Sequence, residues 1–233
     1  MKTSPDISVI VTAHREGALA GVTAKSALAA TRAASAAGLD HEVIVVLDRA
    51  DFVTGATLRG AFGGCAQYLE TDEGDPGLAR NRGIELARGR CATFLDGDDL
   101  WSDNWLVESY RLLERRPDVA AHSACNLVFG NAHHFWWHVD SETSLCDTGY
   151  LDWLNYWDAM SFARTETYRR YPFRKNDLNI GFGHEDWHWN AWTLSEGVPH
   201  KPVPRTLHFK RARSGSQMQK VNSWHGFRWP LTL

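Results

Sequence analysis

The stretch Cys91-Ala-Thr-Phe-Leu-Asp96-Gly97-Asp98-Asp99 decides how this sequence is interpreted. Its apolar first half predicts a buried strand, which breaks abruptly into three carboxylates within four residues. Such carboxylates repel one another and cannot all be buried without a counter-charge. Oxygen ligands of this kind favour Mg²⁺ or Mn²⁺, and Gly97 lets the backbone turn tightly beside a ligand. The simpler alternative is an acidic turn that caps the next helix.

Strands and helices alternate on both sides of this stretch. We predict strands at 7–12, 41–47, 66–69 and 91–95, and helices at 18–37, 51–64, 76–88 and 103–116. This alternation predicts an α/β fold with a mostly parallel sheet. The carboxyl ends of such strands form the ligand site, and the loops there are rich in carboxylates. Beyond residue 119 the pattern is irregular and rich in tryptophan, with a helix at 185–196 and a mobile polar loop at 213–219.

Composition limits the classes of function. The chain has 233 residues and a net charge of −3, with 43% hydrophobic and 23% charged residues. These values are typical of one sizeable globular domain and do not favour nucleic-acid binding. The four cysteines form no C-x-x-C pair, and we find neither a signal segment nor an apolar run long enough to cross a membrane. We therefore expect a cytoplasmic protein, while peripheral membrane contact stays open.

Several blocks together resemble a known family. The segment Gly77-Leu-Ala-Arg80-Asn81-Arg-Gly83, followed by the strand that ends in Asp96-Gly-Asp98-Asp99, resembles the family 2 glycosyltransferases of the GT-A fold. In that family an A-R-N-x-G helix start precedes a strand ending in D-x-D-D. The blocks at 9–16, 45–48, 161–164 and 181–187 are similar to the family in the same order. The resemblance implies a single GT-A domain, with a mostly parallel central sheet flanked by helices. Its nucleotide-sugar-binding half would be 1–118, and its Trp-rich, acceptor-side and catalytic half 119–233.

The resemblance also implies roles for individual residues. The donor would be a nucleotide sugar, a UDP-sugar if Asp48 accepts a hydrogen bond from uracil as its counterpart does. The nucleotide-sugar-binding residues would be Thr12, Ala13, Glu16, Asp48, Arg80, Asp96 and Gly97. The Mn²⁺ or Mg²⁺ ligands would be Asp98, Asp96 and, on a looser match, His208. Three basic residues could contact the phosphates or simply form a solvated surface loop: Lys210, Arg211 and Arg213.

Catalysis would rest on the start of the helix at 185–196. The acceptor hydroxyl needs a base on the face of the sugar opposite the leaving group, and we expect Asp186 in that role, oriented by Glu185. The resemblance thus implies direct displacement with inversion, to a glycan, a lipid-linked or a small-molecule acceptor. The alternative is that both carboxylates only cap the helix. Two departures from the family, Asp48-Arg-Ala-Asp51 and His14-Arg15, leave the base contacts and donor preference open.

Three other functions are alternatives for this sequence. His184-Glu185-Asp-Trp-His188 matches H-E-x-x-H, the pattern of zinc metalloproteases, but this interpretation leaves the α/β half unexplained. A non-catalytic module that binds sugar nucleotides or glycans would not need the intact carboxylates. A nucleotidyltransferase would need a glycine- and lysine-rich loop after the first strand. Most of the 11 tryptophans are expected in the core, and one or two could line a sugar cleft.

Overall fold

One large sheet organises the chain, which a computed structural model describes at residues 4–214 and 226–231. The predicted loop at 213–219 therefore lies mostly outside the described residues. In chain order the elements are β1 (Ile7–Ala13), α1 (Ala20–Ala36), β2 (His41–Asp48), α2 (Phe52–Phe62), β3 (Ala66–Thr71), α3 (Pro76–Leu86), β4 (Cys91–Asp96), β5 (Leu100–Trp101), α4 (Trp105–Arg115), β6 (Ala120–Gly130), β7 (His134–Trp137), β8 (Phe162–Arg164), α5 (Thr165–Arg170), β9 (Phe182–Gly183), α6 (Glu185–Ser195), β10 (His200–Ala212) and β11 (Phe227–Arg228). No helix in the described part of the chain is both long and apolar enough to cross a membrane.

The strand order confirms the predicted α/β fold. Within the described ranges the main sheet has nine strands in the order β3-β2-β1-β4-β8-β6-β10-β5, with β7 paired to β6. The four strands predicted from the sequence, β1 to β4, are parallel to their neighbours within that set. Beyond β4 the sheet is mixed, because β8 runs antiparallel to β4 and β6, whereas β10 runs parallel to β6. The parallel part carries the predicted site at its carboxyl edge.

The parallel strands are covered on both faces. One core cluster packs the sheet against α1, α2 and α4, and a second packs it against α3, α5 and α6. The fit of α3 explains the glycine of the A-R-N-x-G block. A Cβ on Gly83 would lie 2.4 Å from Cγ2 of Ile10 in β1, so only glycine lets this helix approach the strand so closely.

The long strand β10 was not predicted from the sequence. It contains Pro202 and Pro204, residues that usually argue against a central strand. The structure accommodates them with a shift of register against β6 between Val203 and Leu207, where Arg205 has a φ of 63°. The strand thus carries a bulge in its middle and resumes pairing beyond it.

The tryptophans divide between the core and the surface. Trp105, Trp157 and Trp189 are fully buried, which confirms core packing as their role. Trp137 and Trp153 are 68% and 78% exposed. A sugar-binding role for the exposed pair stays a prediction.

Candidate active site

Three parallel strands bring polar side chains to one edge of the sheet. Thr12 lies near the end of β1, Asp48 ends β2 and Asp96 ends β4. Thr12 and Asp96 are register partners, and the Thr12 hydroxyl donates to Asp96 Oδ1 at 3.1 Å. These residues are therefore placed together, as the strand pattern predicts.

Asp48 also orders the neighbouring loop. Its Oδ1 accepts hydrogen bonds from the Thr71 hydroxyl at 3.1 Å and from the backbone N–H groups of Glu73 at 2.7 Å and Gly74 at 3.1 Å. His14 Nδ1 lies 2.6 Å from the Asp48 carbonyl oxygen. The side chain is buried, so Asp48 joins the loops after β1, β2 and β3. Sequence reasoning missed this role because two of the donors are backbone N–H groups and all the partners lie in other loops or strands.

A buried arginine connects the sheet edge to α6. Arg80 of α3 is 2% exposed; its Nη2 lies 2.8 Å from Asp96 Oδ1 and its Nη1 lies 2.8 Å from Glu185 Oε1. The two carboxylates keep the pKa of the guanidinium above its usual range even though burial favours the neutral form. Burial alone would raise the pKa of Asp96, but Arg80 and Lys210 hold it below its usual value. Asp96 at the end of β4 and Glu185 at the start of α6 thus share one positively charged partner.

The acidic turn, Asp96 to Asp99, is closely packed. A Cβ on Gly97 would lie 3.0 Å from the Thr12 carbonyl oxygen and 3.1 Å from the Ala13 Cβ and the Glu16 Cδ. Gly97 therefore lets this turn lie directly against the loop after β1. Ala13, which ends β1, and Glu16, which lies in that loop, are two of the residues predicted to bind the donor.

All three predicted basic residues reach the acidic turn. The Arg211 backbone N–H donates to Asp99 Oδ1 at 2.6 Å, and its Nε donates to the Asp98 carbonyl oxygen at 3.0 Å. Arg213 Nε forms a short ion pair with Asp98 Oδ2, and Arg213 Nη2 lies 3.4 Å from Glu16 Oε1. Lys210 Nζ lies 3.8 Å from Asp99 Oδ2. The end of β10 therefore folds over the turn.

The carboxylates of the acidic turn still repel one another, despite their basic partners. The pKa of Asp99 is raised well above its usual value, first by burial and then by Asp98 and Asp96, although Lys210 opposes the shift. Burial and the Asp98 charge likewise raise the pKa of Glu16. A divalent cation would relieve this repulsion, and carboxylate oxygens are ligands that Mn²⁺ and Mg²⁺ prefer. Within the described residues no three carboxylates of the turn come close enough together to hold the ion by themselves, so the metal role of Asp98 and Asp96 stays a prediction.

The helix α6 begins at this site. Glu185 accepts from Arg80 and, through Oε2, from Asn176 Nδ2 at 2.9 Å. Asp186 Oδ1 accepts from the Trp187 backbone N–H at 2.8 Å. Burial, followed by the charge of Glu185, raises the pKa of Asp186 to about 7. A carboxyl group with this pKa can accept a proton near neutral pH.

His208 lies deeper than the other predicted site residues. It is fully buried on β10, its ring centroid lies 4.6 Å from that of Trp105, and its Nδ1 lies 3.8 Å from Asp158 Oδ2. Its role as a metal ligand of the acidic turn stays a prediction. Sequence reasoning did not identify Asp158; an aspartate within an otherwise apolar segment, Trp157-Asp-Ala-Met160, was the available signal.

The residues of the H-E-x-x-H pattern do not have the geometry of a zinc-protease site. His184 precedes α6 and has a left-handed φ of 58°, so it does not share a helical face with His188. Glu185 is held in the buried ion pair with Arg80. The geometry therefore gives no support to the protease interpretation.

Comparisons with known proteins identify the family and the fold of the chain. A family model described as "Glycosyl transferase family 2" matches residues 8–184. No curated protein sequence matches the chain. Among solved structures, S. aureus TarS 1–349 in complex with UDP-GlcNAc is 17% identical with a TM-score of 0.59, over 92% of this chain and 60% of that one. The mannosyltransferase PcManGT from Pyrobaculum calidifontis in complex with GDP-Man and Mn²⁺ is 15% identical with a TM-score of 0.64, over 94% of this chain and 60% of that one.

Both likenesses show a shared fold, and the chain spans about 60% of the length of each of these structures. The family match extends from β1 to the residue before α6 and so includes the acidic turn. The chain has the GT-A fold and belongs to glycosyl transferase family 2.

Proposed function

We propose that this chain transfers a sugar from a nucleotide-sugar donor to a hydroxyl acceptor, with the help of a divalent metal ion and with inversion at the anomeric carbon. The observation that carries the proposal is the Arg80 bridge, which brings the strand-end carboxylate Asp96 and the α6 carboxylates Glu185 and Asp186 into one site. Donor activation and proton removal need such groups side by side. We further propose a single domain, with a donor half at 1–118 and an acceptor half at 119–233.

The donor would bind at the carboxyl edge of the parallel strands. The nucleoside would lie beside Thr12, Ala13, Glu16 and Asp48, because these residues line the loops after β1 and β2. Two similar structures support a nucleotide donor, because TarS was solved with UDP-GlcNAc and PcManGT with GDP-Man and Mn²⁺. A UDP-sugar is our first choice.

The diphosphate would be held at the acidic turn. Asp98 is the expected main ligand of Mn²⁺ or Mg²⁺, with Asp96 beside it, and the bound ion would offset the charge that develops on the leaving diphosphate. His208 would need to reach this turn from its buried position to act as a further ligand. Lys210 and Arg213 would exchange their carboxylate partners for phosphate oxygens.

The proton of the acceptor would pass to Asp186. The acceptor oxygen forms a bond to the anomeric carbon while the bond from that carbon to the phosphate oxygen breaks, and the nucleoside diphosphate leaves with the bonding electrons. Asp186 has a pKa of about 7, and Glu185, fixed by Arg80 and Asn176, orients the start of the helix. Glycans, lipid-linked intermediates and small metabolites are the proposed acceptors.

Calorimetric titration of UDP, GDP and CDP, each with Mn²⁺ and with EDTA, tests the donor site. We expect one nucleotide to bind in a metal-dependent manner and Asp98→Asn to lose that dependence. Asp103→Asn is the matched control, since Asp103 is exposed and lies just beyond the turn. If no nucleotide binds in either condition, the proposed function is wrong.

Turnover distinguishes an enzyme from a non-catalytic binding module. The enzyme would release nucleoside diphosphate from a panel of nucleotide sugars, with acceptor or with water. Binding without release from any donor would favour the binding module. Retention of the donor's anomeric configuration, observed by NMR of the product, would remove Asp186 from the role of base.

A further inference from the structure

A second cluster of side chains that can bind metal lies beside β6, apart from the acidic turn. His122 lies on β6, His138 follows β7 and Asp158 precedes β8; they are 0%, 6% and 1% exposed. One ligand atom from each of the three lies within 4.8 Å of the others. Among the residues that the structure describes, no other three such side chains lie close enough together to hold a metal ion.

The hydrogen bonds around His122 determine its tautomer. The Thr193 hydroxyl donates to the Trp189 carbonyl oxygen at 2.7 Å, so it accepts from His200 Nε2, 2.9 Å away. A neutral imidazole has one donor and one acceptor nitrogen, so His200 Nδ1 accepts from His122 Nε2, which lies at 2.8 Å. His122 Nδ1 is left with a bare lone pair, and it has no hydrogen-bond partner within the described ranges.

His138 is held in the complementary way. Its Nδ1 lies 2.9 Å from the Ser123 carbonyl oxygen, which can only accept, so Nδ1 carries the proton. Its Nε2 therefore has a bare lone pair, and it too is buried without a partner in the described part of the chain. A backbone carbonyl that fixes the second nitrogen of a histidine is the usual support of a metal ligand.

Asp158 brings a third acceptor to this cluster. Its Oδ2 accepts from Asn126 Nδ2 at 2.8 Å, and its Oδ1 accepts from the Met160 backbone N–H at 3.2 Å. Burial opposes ionisation, but His208 and Lys210 hold the pKa of this carboxyl well below its usual value. A ring nitrogen of each histidine thus lies within 4.8 Å of an oxygen of this carboxylate, and by the hydrogen-bond pattern the unpartnered nitrogens carry no proton.

Protonation of the histidines does not resolve this arrangement. Burial lowers the pKa of His138 to about 4 and lowers that of His122 well below its usual value, and neighbouring histidines lower the latter further. Both rings are consequently neutral near pH 7, the state that metal binding requires. A cation would satisfy all three acceptors at once, whereas a water molecule would donate to two of them, the two imidazole nitrogens, and leave Asp158 to its bonds from Asn126 and Met160.

We propose that His122 Nδ1, His138 Nε2 and Asp158 bind a Zn²⁺-class transition-metal ion, at a site separate from the Mn²⁺ or Mg²⁺ site of the acidic turn. Two nitrogens and one oxygen suit such an ion better than Mg²⁺. Zn–N bonds of about 2.0–2.1 Å in tetrahedral geometry place ligand atoms about 3.4 Å apart. The ligand atoms, which all lie within 4.8 Å of one another, would therefore move inward by at most about 1.4 Å on binding the ion.

His208, considered above as a ligand of the acidic turn, lies against Asp158 instead and could serve this cluster as a fourth ligand. Its Nδ1 lies 3.8 Å from Asp158 Oδ2, and within the described residues neither of its ring nitrogens has a hydrogen-bond partner. Lys210 Nζ separates the two sites, at 4.0 Å from Asp158 Oδ2 and 3.8 Å from Asp99 Oδ2. The ion would thus fix Asp158 and, through it, the position of Lys210 at the acidic turn.

Elemental analysis of the untagged full chain, purified without added metal, is the first test. We expect about one equivalent of zinc per chain. We also expect Co²⁺ exchanged into the protein to give the visible absorption of a tetrahedral cobalt site. His138→Ala should lose the metal, whereas the exposed His134→Ala and the acidic-turn variant Asp98→Asn should keep it.

A second measurement covers the case in which His138→Ala fails to fold. Wild-type protein treated with a zinc chelator should show a lower Tm that Zn²⁺ or Co²⁺ restores and Mg²⁺ does not. Zinc far below one equivalent, together with a Tm that neither chelator nor added Zn²⁺ changes, would overturn the proposal and leave a buried water in its place. Neither measurement depends on sugar transfer.

Discussion

Replacing Arg80 by methionine removes the guanidinium between Asp96 and Glu185 but keeps most of the volume of the side chain. Both ion pairs are 2.8 Å long, and the two carboxylates have side-chain exposures of 25% and 9%. The variant leaves these carboxylates close together without the cation that they share. Breaking a buried ion pair from one side costs about 3–5 kcal/mol of unfolding free energy.

That cost is large enough to measure by thermal unfolding. A domain of this size loses roughly 2–4 °C of Tm per kcal/mol, so we expect Arg80→Met to lower the Tm by about 6–20 °C. The matched control is Arg82→Met on the same helix. Arg82 is 47% exposed and pairs with Glu73 and Glu85 at the surface, so its loss should change the Tm little.

The pH dependence identifies the cause. In the native protein the pKa of Asp96 is held below its usual value, so its ionised form stabilises the fold above its unfolded-state pKa of about 3.9, and this stabilisation is lost as the pH falls. In Arg80→Met the unpaired carboxylates destabilise the fold at neutral pH, and protonation relieves them. The Tm difference between wild type and variant should therefore be largest at pH 7 and shrink toward pH 4. A difference that is independent of pH, or no larger than that of Arg82→Met, would refute the reasoning.

Three further predictions concern catalysis, packing and thiol chemistry. Burial raises the pKa of Asp186 to about 7, and the base must be ionised, so nucleotide release should fall about tenfold per pH unit below pH 7. Asp186→Asn should reduce nucleotide release by about 10²–10⁴ and remove this pH dependence. Gly83→Ala should destabilise the fold by about 1–3 kcal/mol in urea unfolding, because its new methyl group overlaps β1, whereas Gly60→Ala on α2 meets open space and should be neutral or stabilising. The exposed Cys65 should react with an aromatic disulfide reagent in the native protein. Cys91 is buried and burial raises its pKa to about 11, so it should react only on unfolding. Rapid labelling of Cys91 in the native protein would contradict its burial.

The first half of the fold could be predicted because local signals there agree with the tertiary structure. The strands β1 to β4 and the helices between them lie within a few residues of their predicted bounds. The α/β class and the family were also predicted correctly. Continuous apolar runs predict buried parallel strands, and the acidic turn after β4 stands out because it follows such a strand and the other blocks of the family precede and follow it in order.

The second half could not be predicted to the same degree, because its structure depends on contacts distant in the sequence. The strand β10 tolerates two prolines only because a bulge interrupts its pairing with β6. The Arg80–Glu185 pair joins residues 105 positions apart, and the cluster of His122, His138 and Asp158 comes from three separate elements. The histidines at 133, 134 and 138 formed a visible group in the sequence, but only the last is buried.

The bulge of β10 has a consequence for how chain length can vary in relatives. Side chains alternate between the two faces of a strand, and the register shift between Val203 and Leu207 adds two residues to β10 relative to β6. An addition of two preserves the alternation, so His200 and Lys210 still face the same side of the sheet as their register partners Ala120 and Val128. An insertion or deletion of two residues at this bulge would likewise keep the facing of the strand, whereas a change of one residue would have to be absorbed by a different bulge, since otherwise every side chain beyond it would turn to the opposite face.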